Sequence, residues 1–213
     1  LAIVSNTAEL HGMPVGFFGV ELTRAFLAFI EAGHDVDIAS PKGGEVMVDT
    51  HSDPRTPGGD YRDDLITLGF LHHDTFGPML SDTISTADID VADYDAVWVA
   101  GGGGPLLTFK DDDDLHDLIS SFYEAGNVVS LICHGSSLLL WSRLSDGSLL
   151  AAGKRWTGFT DAEEEVVNEA FGVVLNDYTI ESEARGIDDT VFLCREANEP
   201  FAIRDGRLIT GQQ

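Results

Sequence analysis

The apolar run Val128-Val129-Ser130-Leu131-Ile132 stops at Cys133-His134-Gly135, and a helix-like stretch from Ser136 to Trp141 follows at once. A strand ending on a nucleophile, then glycine and helix, describes a nucleophile elbow, in which the turn lifts one side chain out of the sheet and into a crevice. Few folds can house such a turn, because it needs a strand and a helix packed on each other. The sulfur would sit near a helix N-terminus, whose partial positive charge favours thiolate over thiol. A buried cysteine acting as a small hydrophobe is the competing reading. The register of strand, Cys-His, glycine and helix favours the nucleophile.

The rest of the chain alternates strand and helix. Leu1 to Ser5 reads as a strand, and a helix with apolar positions Val20, Phe26, Leu27, Phe29 and Ile30 follows, closed by Gly33. His34 to Ser40 reads as the second strand, Pro41 to Gly59 as a long loop, and Asp60 to Leu80 as one or two short helices. Asp95 to Ala100 is a third core strand leading into Gly101-Gly102-Gly103-Gly104. Asp111 to Glu124 is helical, Arg155 to Phe159 a short strand, and Asp161 to Phe171 a helix. Phe201 to Arg204 and Leu208 to Thr210 form a hairpin turning at Asp205-Gly206. Such alternation implies an α/β fold, with a mostly parallel sheet covered on both faces and ligands bound at the carboxyl ends of the strands. Neither an internal repeat nor a linker is visible across 213 residues, so a single domain is expected.

Charge excludes several functions. The chain has 37 acidic against 12 basic residues, a net charge of −25, and its only lysines are Lys42, Lys110 and Lys154. Neutralising phosphates requires a basic face, so nucleic acid and anionic membrane surfaces are not expected partners. No apolar run reaches the ~18 residues of a membrane span. The acids are dispersed along the chain, which suggests a salt-rich cytoplasm, since ~1 M salt cuts the screening length to ~3 Å and removes most self-repulsion. Only Cys133 and Cys194 occur, so a reducing cytosol is the default. Cys194, in the β-like run Val191 to Cys194, reads as core.

A catalytic cysteine needs a base and donors for developing charge. His134 is adjacent, and Glu163, Glu164 and Glu165 follow a strand-to-helix junction from which one of them can orient the imidazole. Helix N-terminal charge matching explains a surplus of acids there equally well, but not which one points inward. Backbone N–H groups of Gly102, Gly103 and His134 suit an oxyanion hole, whereas a phosphate cradle would want Gly-Lys-Ser/Thr next. Glu21, at the start of an otherwise apolar helix, is either an exposed first-turn acid or a buried carboxyl with raised pKa that faces the sulfur and shuttles a proton. No metal and no cofactor is expected: His72-His73-Asp74 points its histidines apart, His11 and His51 lie in loops, and Asp111 to Asp114 lacks calcium-loop spacing.

Glu21 to Gly33, Val36 to Gly44, Asp93 to Ala96, Val129 to Gly135, Thr157 to Glu164 and Asp205 to Gly211 together resemble the DJ-one/ThiJ/PfpI superfamily, in its heat-shock chaperone and glutathione-independent glyoxalase branch. The resemblance implies a class I glutamine-amidotransferase-like, flavodoxin-like doubly wound sheet. It also implies Cys133 as nucleophile, His134 as its base, Glu164 as third acid and Glu21 as the glutamate on the thiol. The implied reaction converts methylglyoxal to lactate without glutathione or metal. A small aldehyde and a second copy in a homodimer are the implied partners, in the cytoplasm. A holdase chaperone that binds unfolded protein, a redox sensor, or a deglycase or peptidase are the alternatives, and glutamine amidotransfer is least favoured. Two departures stand out: Gly103 replaces the histidine of the family's Gly-Gly-His-Gly loop, and Ser136 replaces a proline after the elbow. The family also adds a final helix beyond the position of Gln213.

Overall fold

The computed structural model describes residues 1–213. Its first half contains β1 (Ala2–Ile3), β2 (Ala8–Leu10), β3 (Met13–Val15), α1 (Gly19–Glu31), β4 (Ile38–Ser40), α2 (Leu65–His72), β5 (Ile84–Ser85) and β6 (Ala96–Val99). Then come α3 (Gly103–Thr108), α4 (Asp113–Glu124), β7 (Val128–Ile132) and a 3₁₀ segment over Cys133–Leu140. The last third holds β8 (Arg155–Trp156), α5 (Asp161–Phe171), α6 (Ile180–Ala184), β9 (Val191–Phe192), β10 (Ala202–Asp205) and β11 (Leu208–Gly211).

Seven strands form one sheet in the order β10-β11-β7-β6-β1-β4-β5, parallel throughout except for the β10–β11 hairpin. Alternate residues of a strand face opposite sides, and both sides are filled. Ile3, Val97, Val99, Val129 and Leu131 pack with Phe109, Leu115, Ile119 and Phe122. Ala2, Val4, Ile38 and Ala100 pack with Phe17, Leu22, Phe26 and Phe70. The helices are started by their own sequences. The Asp112 side chain caps α4, and Thr160 with Glu163 makes a reciprocal capping box on α5, which ends at Gly172 with φ 69°.

Several expectations are corrected. Of His34 to Ser40 only Ile38–Ser40 is strand, because pairing starts at the Asp37 carbonyl, which accepts from the Ala2 N–H, and the polar residues before it stay exposed. Gly103 and Gly104 are the first turn of α3 rather than loop, and the strand expected over Arg155 to Phe159 covers only two residues. Leu27 is on the exposed side of α1, whose buried stripe runs through Leu22 and Phe26. Cys194 is exposed, because the strand before it stops at Phe192. The β2–β3 hairpin was not anticipated; it turns at His11-Gly12, both with positive φ (50° and 79°), the backbone of a type I′ turn.

Candidate active site

The site lies at the carboxyl ends of β6 and β7, where open parallel sheets bind ligands. Cys133 has φ 55°, a left-handed conformation that costs a non-glycine residue ~1–2 kcal/mol. Its neighbours hold it there. The Ser136 hydroxyl donates to the Cys133 carbonyl at 2.7 Å, and the Phe159 N–H reaches the same oxygen at 3.4 Å. Ser136, fully buried, therefore ties the elbow with a side-chain hydrogen bond.

His134 stands beside the sulfur, with Nδ1 3.8 Å from Sγ. Its Nε2 is 3.0 Å from Glu164 Oε1, and the second oxygen of Glu164 accepts from Asn176 Nδ2 at 3.0 Å. With the Nε2 proton directed at Glu164, the Nδ1 lone pair faces the thiol. Of the three consecutive glutamates, Glu163 is spent on the α5 capping box and Glu165 is exposed, so Glu164 alone turns towards the imidazole. Phe159 covers the ring of His134 at 4.1 Å between centroids.

Glu21 approaches the sulfur from α1. Its Oε2 accepts from the Gly101 N–H at 2.5 Å, and its carboxyl lies beside Cys133. Burial is the main reason its pKa is pushed up to about 7; the Gly101 N–H, the thiol and His134 oppose the rise, and the Asp49 carboxylate adds to it. The thiol is pushed up as well, first by burial and then by the charge of Glu21, while the backbone N–H groups of His134 and Gly102 pull it down. The expected preference for thiolate is thus reversed, chiefly by burial and further by the charge of an ionised Glu21. When Glu21 holds the proton, the repulsion vanishes and the carboxyl becomes a donor to sulfur. Each ionisation opposes the other, so the two groups titrate as a coupled pair.

Close approach explains the glycines. A Cβ on Gly101 would lie 2.7 Å from Cys133 Cβ, 2.8 Å from the His134 nitrogen and 2.9 Å from Glu21 Oε2. Gly102 has φ 108°, and a Cβ there would lie 2.6 Å from Phe18 N. The N–H groups of Gly102 and His134 favour the thiolate of Cys133, whereas Gly103, expected as a third such donor, turns its N–H towards Asp49 Oδ2 at 3.4 Å. Sequence reasoning missed Asp49 and Asn176, which lie outside the helices and strands and show no periodicity. It also missed Tyr61, whose ring meets Phe18 edge-on at 5.3 Å and whose pKa is raised by burial and by the charges of Glu21, Asp60 and Cys133.

The family model described as the DJ-1/PfpI family matches residues 13–213. The chain belongs to that family. Glyoxalase 3 of Candida albicans is 28% identical over 99% of the chain and 89% of the relative. The glutathione-independent glyoxalase HSP31 of Saccharomyces cerevisiae is 29% identical over 94% of the chain and 84% of the relative. Among solved structures, glyoxalase III from Candida albicans superposes with TM-score 0.80 at 26% identity, covering 100% of this chain and 89% of the other. That likeness extends over the mostly parallel sheet and its helices. No helix of the chain is long and apolar enough to cross a membrane.

Proposed function

We propose that the chain is a glutathione-independent glyoxalase that converts methylglyoxal, or a related small reactive aldehyde, to the hydroxy acid. The observation that carries this is the buried Cys133–Glu21 pair beneath the two N–H donors of Gly102 and His134. Relatives across nearly the full length carry the glyoxalase name. With Cys133 only 5% exposed, a small aldehyde suits the site better than a polypeptide, which disfavours peptidase activity.

Cys133 attacks the aldehyde carbon. A C–S bond forms, the carbonyl electrons move to oxygen between the Gly102 and His134 N–H groups, and proton uptake gives a hemithioacetal. Glu21 or His134 then takes the proton from that carbon, and an enediol forms. Returning the proton to the neighbouring carbon leaves a 2-hydroxyacyl thioester on Cys133. His134, oriented by Glu164, deprotonates a water that adds to the thioester, and the C–S bond breaks. The hydroxy acid leaves and the thiol is regenerated, the net change being addition of one water. No oxidant or reductant is consumed. Glu21, with a pKa of about 7, can both accept and return a proton near neutral pH.

A reducing cytoplasm fits two free cysteines. A homodimer is the proposed assembly, measurable by light scattering. The holdase alternative draws on exposed apolar side chains, but the most exposed of these, Leu65 and Val174, are aliphatic. The test incubates the protein with methylglyoxal, without glutathione, beside a glycated amine and an unfolded peptide. Lactate from free methylglyoxal with the peptide left uncut supports the proposal; peptide cleavage or amine release without lactate overturns it.

A further inference from the structure

Nothing in Gly101-Gly102-Gly103-Gly104 has a side chain with which to hold itself in place, yet two of its N–H groups must stay aimed at the site. Glycine also loses more conformational freedom on ordering than any other residue. The loop is fastened by backbone: Phe18 N–H donates to the Gly101 carbonyl at 2.9 Å, and Gly104 N–H to the Gly16 carbonyl at 2.9 Å. One side chain from a distant part of the sequence joins them. Asp49 Oδ2 takes the Gly103 N–H at 3.4 Å. Gly103 is the first residue of α3, and Gly102 at the N-cap offers no side chain to that end of the helix, so the acceptor has to come from elsewhere.

Asp49 is itself well fixed. It is 4% exposed, its N–H donates to the Phe17 carbonyl at 2.8 Å, and Oδ1 accepts from the His51 N–H at 3.0 Å. Its carbonyl accepts from the Ser52 hydroxyl, whose oxygen in turn accepts the Gly19 N–H at 2.7 Å. Gly19 starts α1, the helix that carries Glu21. One short segment, Asp49 to Ser52, therefore braces both the glycine loop and the Glu21 helix. It also occupies the space beside position 103: a Cβ there would lie 3.3 Å from Asp49 Oδ2 and 3.2 Å from Val15.

We propose that Asp49 is a positioning residue of the thiol site, holding the first turn of α3 so that the Gly102 N–H stays beside Cys133. This rests on the reading of Cys133 as the nucleophile.

The test compares wild type, Asp49→Asn and Asp49→Ala. Iodoacetamide alkylation of Cys133 is followed against pH by mass spectrometry, and kcat and KM are measured with methylglyoxal. Asp49→Asn has one oxygen where the carboxylate has two, so it can serve the Gly103 N–H or the His51 N–H but not both, and Asp49→Ala serves neither. In Asp49→Ala the alkylation midpoint shifts to higher pH, because the Gly102 N–H that pulls the thiol down is displaced, and kcat falls by about tenfold or more while KM is little changed, as for a displaced oxyanion donor. Asp49→Asn falls between it and wild type. An unmoved midpoint or an undiminished kcat in a folded Asp49→Ala overturns the proposal. Should Asp49→Ala fail to fold, the same two readings on Asp49→Ser, whose shorter side chain does not reach the Gly103 N–H, decide. Alkylation needs no substrate, so this test can fail or succeed independently of lactate formation.

Discussion

In Glu21→Gln the carboxyl beside Cys133 becomes an amide of nearly the same shape, still able to accept from the Gly101 N–H. The wild-type carboxyl titrates at about 7 in the fold against 4.5 for the unperturbed group, chiefly because it is buried. That difference of about 2.5 units, at 1.36 kcal/mol each, amounts to roughly 3 kcal/mol. Its direction follows from proton counts. Between the two values the unfolded chain has released this proton and the folded chain has kept it, so stability falls as pH rises through the window. Below the lower value both states are protonated and the group contributes nothing. Above about 7 the full penalty applies, and the amide removes it. Glu21→Gln is therefore expected to be more stable than wild type at mildly alkaline pH by roughly 3 kcal/mol, or roughly 6–12 °C in Tm for a chain of this size. The gain should shrink to nothing near pH 4. Denaturant unfolding of both proteins across this range, in the same salt, measures it, and taking the difference cancels the titration of the other acids. The same variant should lose most lactate formation, since an amide relays no proton. A stability difference that stays flat with pH, or that favours wild type above neutrality, would refute the idea of a buried, proton-holding carboxyl.

Three further outcomes are expected. Gly101→Ala forces a methyl group against Cys133, His134 and Glu21, and should cost ~1–3 kcal/mol with near-complete loss of activity; wild-type kcat in that variant would contradict the close approach. Asn176→Ala leaves one oxygen of the buried Glu164 without its donor, so stability should drop by ~1–3 kcal/mol and kcat should fall with KM preserved, read by thermal unfolding and steady-state kinetics. With 37 acids against 12 bases, Tm should climb steeply with KCl if the acidic surface reflects adaptation to salt, and a flat response rules that out.

How far the sequence foretold the structure depended on whether a signal was local. Helix α5 spans the expected Asp161–Phe171 because Thr160 and Glu163 cap its start and Gly172 takes the left-handed turn at its end. The elbow was legible because an apolar run, a cysteine and histidine, and a glycine occur in immediate succession. The glycine tract was only half legible: four glycines look like loop, yet two of them begin α3 once Pro105 and Leu106 pack beneath. Which of Glu163, Glu164 and Glu165 faces inward is settled by packing around His134, which no local pattern encodes. The thiol was misjudged for a related reason. A helix N-terminus favours thiolate, but burial and a neighbouring carboxyl, both products of tertiary structure, act more strongly in the other direction. Asp49 went unread because it lies in a stretch without periodicity and becomes meaningful only when folded against Gly103.

The most direct measurement is lactate formed from methylglyoxal, without glutathione and in molar KCl, by wild type, Cys133→Ala and Glu21→Gln side by side. Lactate from wild type alone, with both variants folded, is the expected result. Lactate formation retained in Cys133→Ala would contradict the assignment of the sulfur as nucleophile.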